Sequence, residues 1–250
     1  MKFILANAYR EWRIRVSNPI IPLWDVLVPV VYLVLFGSSM ESWVNAGASG
    51  IAYPTFFLGG VLGMVTFSIA MNSSYGFFED LQSGVFHEIL TYPFSRSDFL
   101  LGKLLSNAVF SVVAVSVCLA AGAVFLKIPV KAAALPGLLA WTVLGTAGWY
   151  FVYSWLSLKV RSFNGYHTST STLYLLLMFV SNLFYPTDQL PAWASWAAWL
   201  NPITWQVDLM RYHIYGAGSA AQLRWEAAAF VGFVGASFWV ANRKLNGTIE

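Results

Sequence analysis

One serine stands in a setting that could support chemistry. Ser49 lies within Gly47-Ala48-Ser49-Gly50, and a serine becomes a nucleophile when a nearby histidine accepts its proton. His213 would have to be that histidine. The Gly/Ala/Ser composition of this stretch is also typical of a flexible connector. Hydrolysis at Ser49 is therefore a distant alternative.

A second candidate is the pair Gly102-Lys103, because a lysine after a glycine ends many phosphate-binding loops. Such a loop needs a glycine five residues before Gly102 and a serine or threonine after the lysine. Ser97 and Leu104 occupy those positions. The single cysteine, Cys118, excludes an intrachain disulfide and a cysteine-based metal site. We expect no catalytic residue, no metal and no cofactor on this chain.

The composition indicates a protein whose surface faces lipid. Of the 250 residues, 58% are hydrophobic and 10% are charged, whereas soluble domains carry about 25% charged residues. The formal charge of +3 could suggest nucleic acid, but the basic residues lie at the ends of apolar segments. Such an arrangement is typical of membrane proteins, and we expect no nucleic-acid partner.

Six segments are apolar and near the ~20 residues that a helix needs to cross a bilayer. They are Pro22–Met40, Pro54–Tyr75, Leu100–Leu126, Ala134–Leu158, His167–Tyr185 and Trp225–Ala241. With both termini in the cytosol, ten lysines and arginines face inward and four face outward, as the positive-inside rule requires. The sequence therefore predicts an all-α membrane protein with a single domain over residues 1–250.

Charged residues are nearly absent from the predicted spans. Asp25 comes closest to a span interior, and it lies within a turn of the inner end. Transporters driven by ions or protons usually place charged side chains within their helices. If this protein moves a substrate, its energy must come from elsewhere.

Two flanking segments have the pattern of membrane-surface helices. In residues 1–20, Leu5, Ala8, Trp12 and Val16 share one face, which predicts an amphipathic interfacial helix or a helix that packs on a partner protein. In residues 186–222, three tryptophans lie three residues apart on a helix that ends at Asn201-Pro202. We predict two short helices that dip into the outer leaflet, with an aromatic belt on a surface loop as the alternative. The tryptophans are Trp193, Trp196 and Trp199.

Residues 76–99 form the most informative link between spans. Glu79 to Leu90 has helical period, with Leu81, Val85 and Ile89 on one face. Pro93 stops this helix, and Ser95 can cap the next one. A short helix that projects from a membrane bundle can dock in a groove of a partner and carry its motion into the spans. A solvated connecting helix is the alternative.

At these residues the chain resembles the ABC type-2 permease family. The loop signature of that family is similar to the order Glu79…Gly84…Glu88-Ile89-Leu90…Pro93-Phe94-Ser95-Arg96…Leu101-Gly102-Lys103. A second marker of the family is similar to Asn201-Pro202 followed by Asp208 and Arg211. The interfacial helix, the six spans and the length near 250 agree, so the resemblance covers the whole chain.

The resemblance implies a permease subunit that pairs with a second copy of itself and with two copies of an ABC ATP-binding subunit. ATP and magnesium would bind to that partner, in the cell membrane of a prokaryote. The docking residues for the ATPase would be Glu79, Leu81, Gly84, Val85, Glu88, Pro93 and Arg96. An outer gate would contain Trp193, Trp196, Trp199, Asn201 and Pro202. A central cavity between the second and fifth spans would be lined by Phe67, Met71, Tyr174 and Met178.

The substrate class follows from the same resemblance. The loop signature is closer to exporters of drugs, lipids and lipo-oligosaccharides, which implies an amphiphilic substrate moved outward. Polysaccharide export of the O-antigen, capsule or teichoic acid type is the alternative, since aromatic rings make up 17% of the chain and suit sugar faces.

Overall fold

The computed structural model describes residues 2–40, 51–89, 91–92, 95–187 and 190–247. Within these ranges the chain forms ten α-helices and no strand. They are α1 Lys2–Ser17, α2 Ile20–Ser39, α3 Tyr53–Gln82, α4 Val85–Ile89, α5 Arg96–Phe125, α6 Leu135–Ser157, α7 Phe163–Phe179, α8 Ala192–Leu200, α9 Pro202–Tyr215 and α10 Ala220–Asn246. Of the residues that the sequence analysis singled out, Ser49, Leu90, Pro93 and Phe94 lie outside the described residues.

Four of these helices are long and apolar enough to cross a bilayer: α2, α3, α5 and α6, the last extended by a 3-10 turn at Ala132–Ala134. The all-helical, multi-pass class is thus confirmed. The predicted fifth span needs correction, because α7 ends at Phe179 and the chain bends from Ser181 to Tyr185. Within that bend the Ser181 hydroxyl accepts a hydrogen bond from the Leu183 amide at 3.2 Å.

The centre of the bundle is α3, which packs against α2, α5, α6 and α9. Pro54 suits its first turn, where a missing N–H leaves no bond unmade. Glycines on one face let α9 approach closely. A Cβ on Gly59 would lie 2.5 Å from Arg211 Cγ, and one on Gly63 would lie 2.6 Å from Val207 Cγ2.

The first helix, α1, packs along α5 at Gly102, where a Cβ would lie 2.7 Å from the Asn7 Cβ. Asn7 Nδ2 also donates to the Phe99 carbonyl at 2.9 Å. Three of the four residues predicted on the apolar face are exposed, and they are Leu5, Trp12 and Val16. The fourth, Ala8, is buried within the chain instead, because the packed face and the apolar face are neighbours on this helix.

Charged residues inside the bundle correct the expectation that Asp25 would stand almost alone. Asp25 is buried and accepts a hydrogen bond from Asn72 Nδ2 at 2.6 Å. In the part of the chain that the structure describes, four further charged residues are buried, and they are Asp80, Lys103, Arg211 and Glu226. Arg211 is one of the four basic residues predicted to face outward, and it is 2% exposed because α9 packs into the bundle.

Candidate functional site

The predicted docking segment begins where α3 ends. Gly84 has a φ of +82°, a left-handed conformation that favours glycine, and it separates α3 from the five-residue helix α4. The predicted continuous helix from Glu79 to Leu90 is therefore wrong, since the chain turns at Gly84. A Cβ on Gly84 would meet nothing within 4 Å, so this glycine serves the turn itself.

Phe86 anchors α4 to the bundle. Its side chain is 2% exposed, and its ring lies 5.1 Å from that of Phe99 and 6.2 Å from that of Phe77. Leu81 and Ile89, predicted to face a partner, are partly buried against the same core. Their apolar stripe holds the segment on its own bundle.

The solvent side of the segment is polar. Glu79, His87 and Glu88 are exposed, and Tyr92 is 65% exposed. Val85 is half-buried. A partner that docks here would meet carboxylates, an imidazole and a phenol, and an apolar stripe would not be offered to it.

The segment ends in a capping box at the start of α5. Ser95 Oγ accepts from the Asp98 amide at 3.0 Å, and the Asp98 carboxylate accepts from the Ser95 amide at 3.3 Å. The adjacent Arg96 Nη1 donates to the carbonyls of Leu245 at 3.3 Å and Asn246 at 2.5 Å. Arg96 thus caps the last turn of α10, where backbone carbonyls lack partners.

Next to the segment, four side chains form a closed ring of ion pairs, which we name the ionic ring. Arg10 contacts Glu11 and Asp80, each at 2.8 Å. Lys103 Nζ lies 2.8 Å from Glu11 Oε1 and 2.6 Å from Asp80 Oδ2. Two positive and two negative charges alternate around the ring, so its net charge is zero. It joins α1, α3 and α5.

Burial makes this ring more than a surface ion pair. The Lys103 side chain is 2% exposed, those of Asp80 and Glu11 are 11% and 13%, and that of Arg10 is 33%. The hydrogen bond to Asp80 raises the pKa of the Arg10 guanidinium, against the lowering effect of burial. Buried ammonium groups need such partners, because removal of one leaves an uncompensated charge in a low dielectric.

The sequence predictions missed this ring. They selected Glu79 as the acidic residue of the segment, whereas Glu79 is exposed and its neighbour Asp80 is the buried one. The spacing of Asn7, Ala8 and Glu11 gives one face of a helix and could have pointed to Glu11 as a packed charge. Nothing in the spacing links Asp80 to Lys103.

A second polar cluster lies near the opposite end of α3, and we name it the arginine clamp. Arg211 donates to the carbonyls of Asn182 at 2.9 Å and Phe56 at 3.1 Å, and its guanidinium stands 3.6 Å from the centre of the Phe56 ring. Asp208 lies 3.5 Å from Arg211 and accepts from Asn182 Nδ2 at 2.6 Å. The clamp holds the bend after α7 against α3.

The Asn201-Pro202 pair joins three helices beside this clamp. Asn201 Oδ1 accepts from the Ile203 amide at 3.0 Å as the N-cap of α9, and its Nδ2 donates to the Leu177 carbonyl of α7 at 2.7 Å. Pro202 occupies the first turn of α9. On α8, Trp193, Trp196 and Trp199 are 74%, 68% and 50% exposed.

The motif residues identified in the sequence lie near the two ends of α3. The family model of ABC-2 type transporters matches residues 2–215, from the start of α1 to the end of α9. The chain belongs to the ABC-2 type transporter family. It is a transmembrane permease subunit, and membership implies pairing with an ABC ATP-binding subunit. A search of the curated proteins finds no match.

In this ABC-2 permease the four residues predicted to line a cavity have different environments. Phe67 is fully buried, and its ring stacks 4.9 Å from that of Tyr174. Met178 is 4% exposed, so these positions belong to the core in this conformation. Met71 lines an open groove of about 390 Å³ between α2, α3 and α7.

That groove of the permease has an apolar side and a polar side. The apolar residues are Ile20, Ile21, Trp24 and Met71. The polar side chains are Asn72, Tyr75, Tyr166, His167, Thr170 and Ser171. Within the described residues no cluster of histidine, cysteine and carboxylate side chains could hold a metal. His213, the predicted base for Ser49, packs its ring against Gly137 of α6.

Proposed function

We propose that this ABC-2 permease is the membrane subunit of an exporter that moves an amphiphile outward. A separate ATPase subunit would bind ATP and magnesium and drive the transport. The observation that supports this proposal is the docking segment, whose outer face is polar and whose inner face is fixed to the bundle through Phe86. A docking segment that is fixed to the bundle transmits a partner's motion to the helices that the segment joins.

The proposed topology has six spans, with α7 and α10 added to the four helices that are long and apolar enough. Both termini and the docking segment face the cytosol, and α8 and α9 form the outer gate. The excess of basic residues on the cytosolic side supports this orientation, and it remains when buried Lys103 and Arg211 are left out. Labelling of a cysteine introduced at Ser42 by an impermeant reagent in intact cells is the expected result.

The amphiphilic groove at Met71 supports a substrate with an apolar part and a polar part. Its apolar residues can contact an acyl chain or ring, while Asn72, His167 and Ser171 offer hydrogen bonds. Polysaccharide export is the second candidate, and the exposed tryptophans of α8 favour it because indole rings stack on sugar faces. Transport assays with a labelled lipid and with a lipid-linked oligosaccharide separate the two.

The deciding experiment is co-purification of the permease with its ATPase and ATP-driven transport in inverted vesicles. We expect a complex of two permease copies and two ATPase copies. Glu88→Lys should weaken ATPase binding, whereas Lys159→Glu, a charge reversal at another exposed position on the same proposed side, should not. ATPase binding and transport that are equal in both variants would contradict the proposal.

Ser49→Ala separates this proposal from the hydrolase alternative. We expect this variant to retain transport, because Ser49 has no proposed role in it. Loss of activity with normal assembly would favour the hydrolase.

A further inference from the structure

The interfacial helix α1 has one side in the bundle and another side free. Asn7, Ala8 and Glu11 face the bundle and are buried or half-buried. Leu5, Tyr9 and Val16 are 54%, 63% and 53% exposed, whereas the Trp12 ring stacks on that of Phe110 of α5 at 4.8 Å. Exposed apolar side chains on a surface helix enter the boundary between lipid headgroups and acyl chains. The free side of α1 therefore suits lipid contact.

The bundle side of α1 meets both legs of the docking segment. Asp80 lies in the last turn of α3, just before the chain leaves for Gly84 and α4. Lys103 lies in the second turn of α5, just after the chain returns at Arg96. Glu11 contacts Lys103, and its neighbour Arg10 contacts Asp80. The ionic ring thus joins α1 to α3 and α5, the two helices that the docking segment connects.

Resting on the proposed coupling function, we infer that the ionic ring makes α1 a lipid-facing arm of the docking segment. When the ATPase displaces the segment, α1 moves with it as one body along the membrane surface. Lys103 is the positioning residue of this unit, because it is the most buried member of the ring and touches both carboxylates. It touches neither substrate nor nucleotide in this assignment.

The ring explains why one substitution should loosen α1 against α3, although α1 still packs on α5 through Asn7 and Gly102. Without Lys103, the carboxylates of Glu11 and Asp80 keep Arg10 as their shared cation, and Arg10 lies at the exposed edge. Two carboxylates near one remaining cation repel each other, so the contact between α1 and α3 weakens. Lys159→Met is the matched control, because Lys159 is exposed and contacts the Trp155 ring.

The first test measures distances in the full chain in vesicles of phosphatidylcholine and phosphatidylglycerol. Spin labels are placed at the exposed positions Arg13 on α1 and Gln82 at the end of α3, where the docking segment turns toward α4, with Cys118→Ala as background. We expect one narrow distance distribution in the parent and in Lys159→Met, and a distribution about twofold broader in Lys103→Met. Equal widths in all three would overturn the inference. This test needs no ATPase, so it stands apart from the proposed function.

The second test uses the complex with the ATPase subunit. ATP binding should leave the distance between the two labels unchanged, and Lys103→Met should keep ATP hydrolysis while transport per ATP falls roughly fivefold. A label distance that changes on ATP binding in the parent, or a normal transport ratio in Lys103→Met, would contradict the inference. Absence of any ATPase complex in the parent would instead refute the proposed function.

A milder variant covers the case in which Lys103→Met does not fold. Arg10→Met removes the exposed corner of the ring and leaves Lys103 paired with both carboxylates. It should broaden the label distances in the same direction, by less than Lys103→Met. An unchanged distribution in a folded Arg10→Met chain would also contradict the inference.

Discussion

At one end of α3, the ionic ring joins three regular helices through side chains alone. At the other end, the arginine clamp is built mainly from backbone carbonyls, which Arg211 binds at Phe56 and Asn182. The ring contains two cations and two anions, whereas the clamp contains one cation beside the single carboxylate Asp208. Both clusters are largely buried, but the ring joins helices to one another, whereas the clamp binds backbone carbonyls.

This difference indicates why a buried arginine serves the bend, whereas buried ion pairs serve the helices. Carbonyls in the bend after α7 lack helical partners, and in a membrane unpaired backbone groups must find donors within the protein. A guanidinium supplies several donors in a fixed plane, so an arginine suits that task. The helices around the ring satisfy their own backbone, and their side chains are free to tie one helix to another.

The largest effect should come from Arg211→Met. The substitution leaves Asp208 without its cation and removes a donor from the carbonyls of Phe56, Asn182 and Leu183, so we expect a loss of about 4 kcal/mol of stability. Thermal unfolding in detergent measures it. Arg224→Met is the control, since Arg224 is exposed and bonds within its own helix. Equal melting temperatures for the two variants would show that the clamp is not structural.

Asp80→Asn should have the next largest effect. It leaves Lys103 buried with one carboxylate, and we expect a loss of about 3 kcal/mol. Glu79→Gln, one residue earlier and exposed, should change stability by less than about 0.5 kcal/mol. If the two variants unfold at the same temperature, the ring contributes no more than surface charges.

Gly60→Ala tests the close packing beside the clamp. A Cβ at Gly60 would collide with the Leu183 carbonyl, so the bend after α7 must move away from α3. We expect a loss of about 2 kcal/mol. Gly232→Ala on α10, where a Cβ meets nothing within 4 Å, serves as the control and should be neutral or slightly stabilising. Unfolding midpoints of the two variants that agree would count against the packing.

The smallest effect should come from Gly84→Ala at the turn beside the ring. A Cβ there has open space, so the only penalty is the left-handed backbone, about 1 kcal/mol. Stability and ATPase co-purification report it, with Gly235→Ala as control. A loss as large as that of Asp80→Asn would mean that Gly84 also touches a partner.

Sequence reasoning predicted most of the helical frame and little of the clusters. The apolar segments gave α2, α3, α5 and α6, and the capping role of Ser95 is confirmed. The bend after α7 was missed because Leu183, Phe184 and Tyr185 resume the apolar run directly after Ser181 and Asn182. The helical backbone hydrogen bonds end there, and the free carbonyls accept hydrogen bonds from Arg211 instead. Arg211 lies on α9, outside the local sequence of the bend.

The clusters could not be predicted because their members are distant in sequence. Glu11, Asp80 and Lys103 come from three helices, and periodicity describes one helix at a time. The burial of Arg211 depends on Gly59, because a Cβ there would lie 2.5 Å from Arg211 Cγ. Such pairings arise from tertiary packing, which the pattern of a single sequence does not predict.

The cap that Arg96 places on α10 also bears on the order in which the chain is built. Arg96 lies 149 and 150 positions before its two acceptor carbonyls, those of Leu245 and Asn246. Proteins emerge from the ribosome N-terminal end first. Arg96 therefore lacks these two acceptor carbonyls until nearly all of the later helices have been synthesised. A nascent chain that stalls before Leu245 would hold its docking segment through Phe86 and would lack the brace between Arg96 and α10.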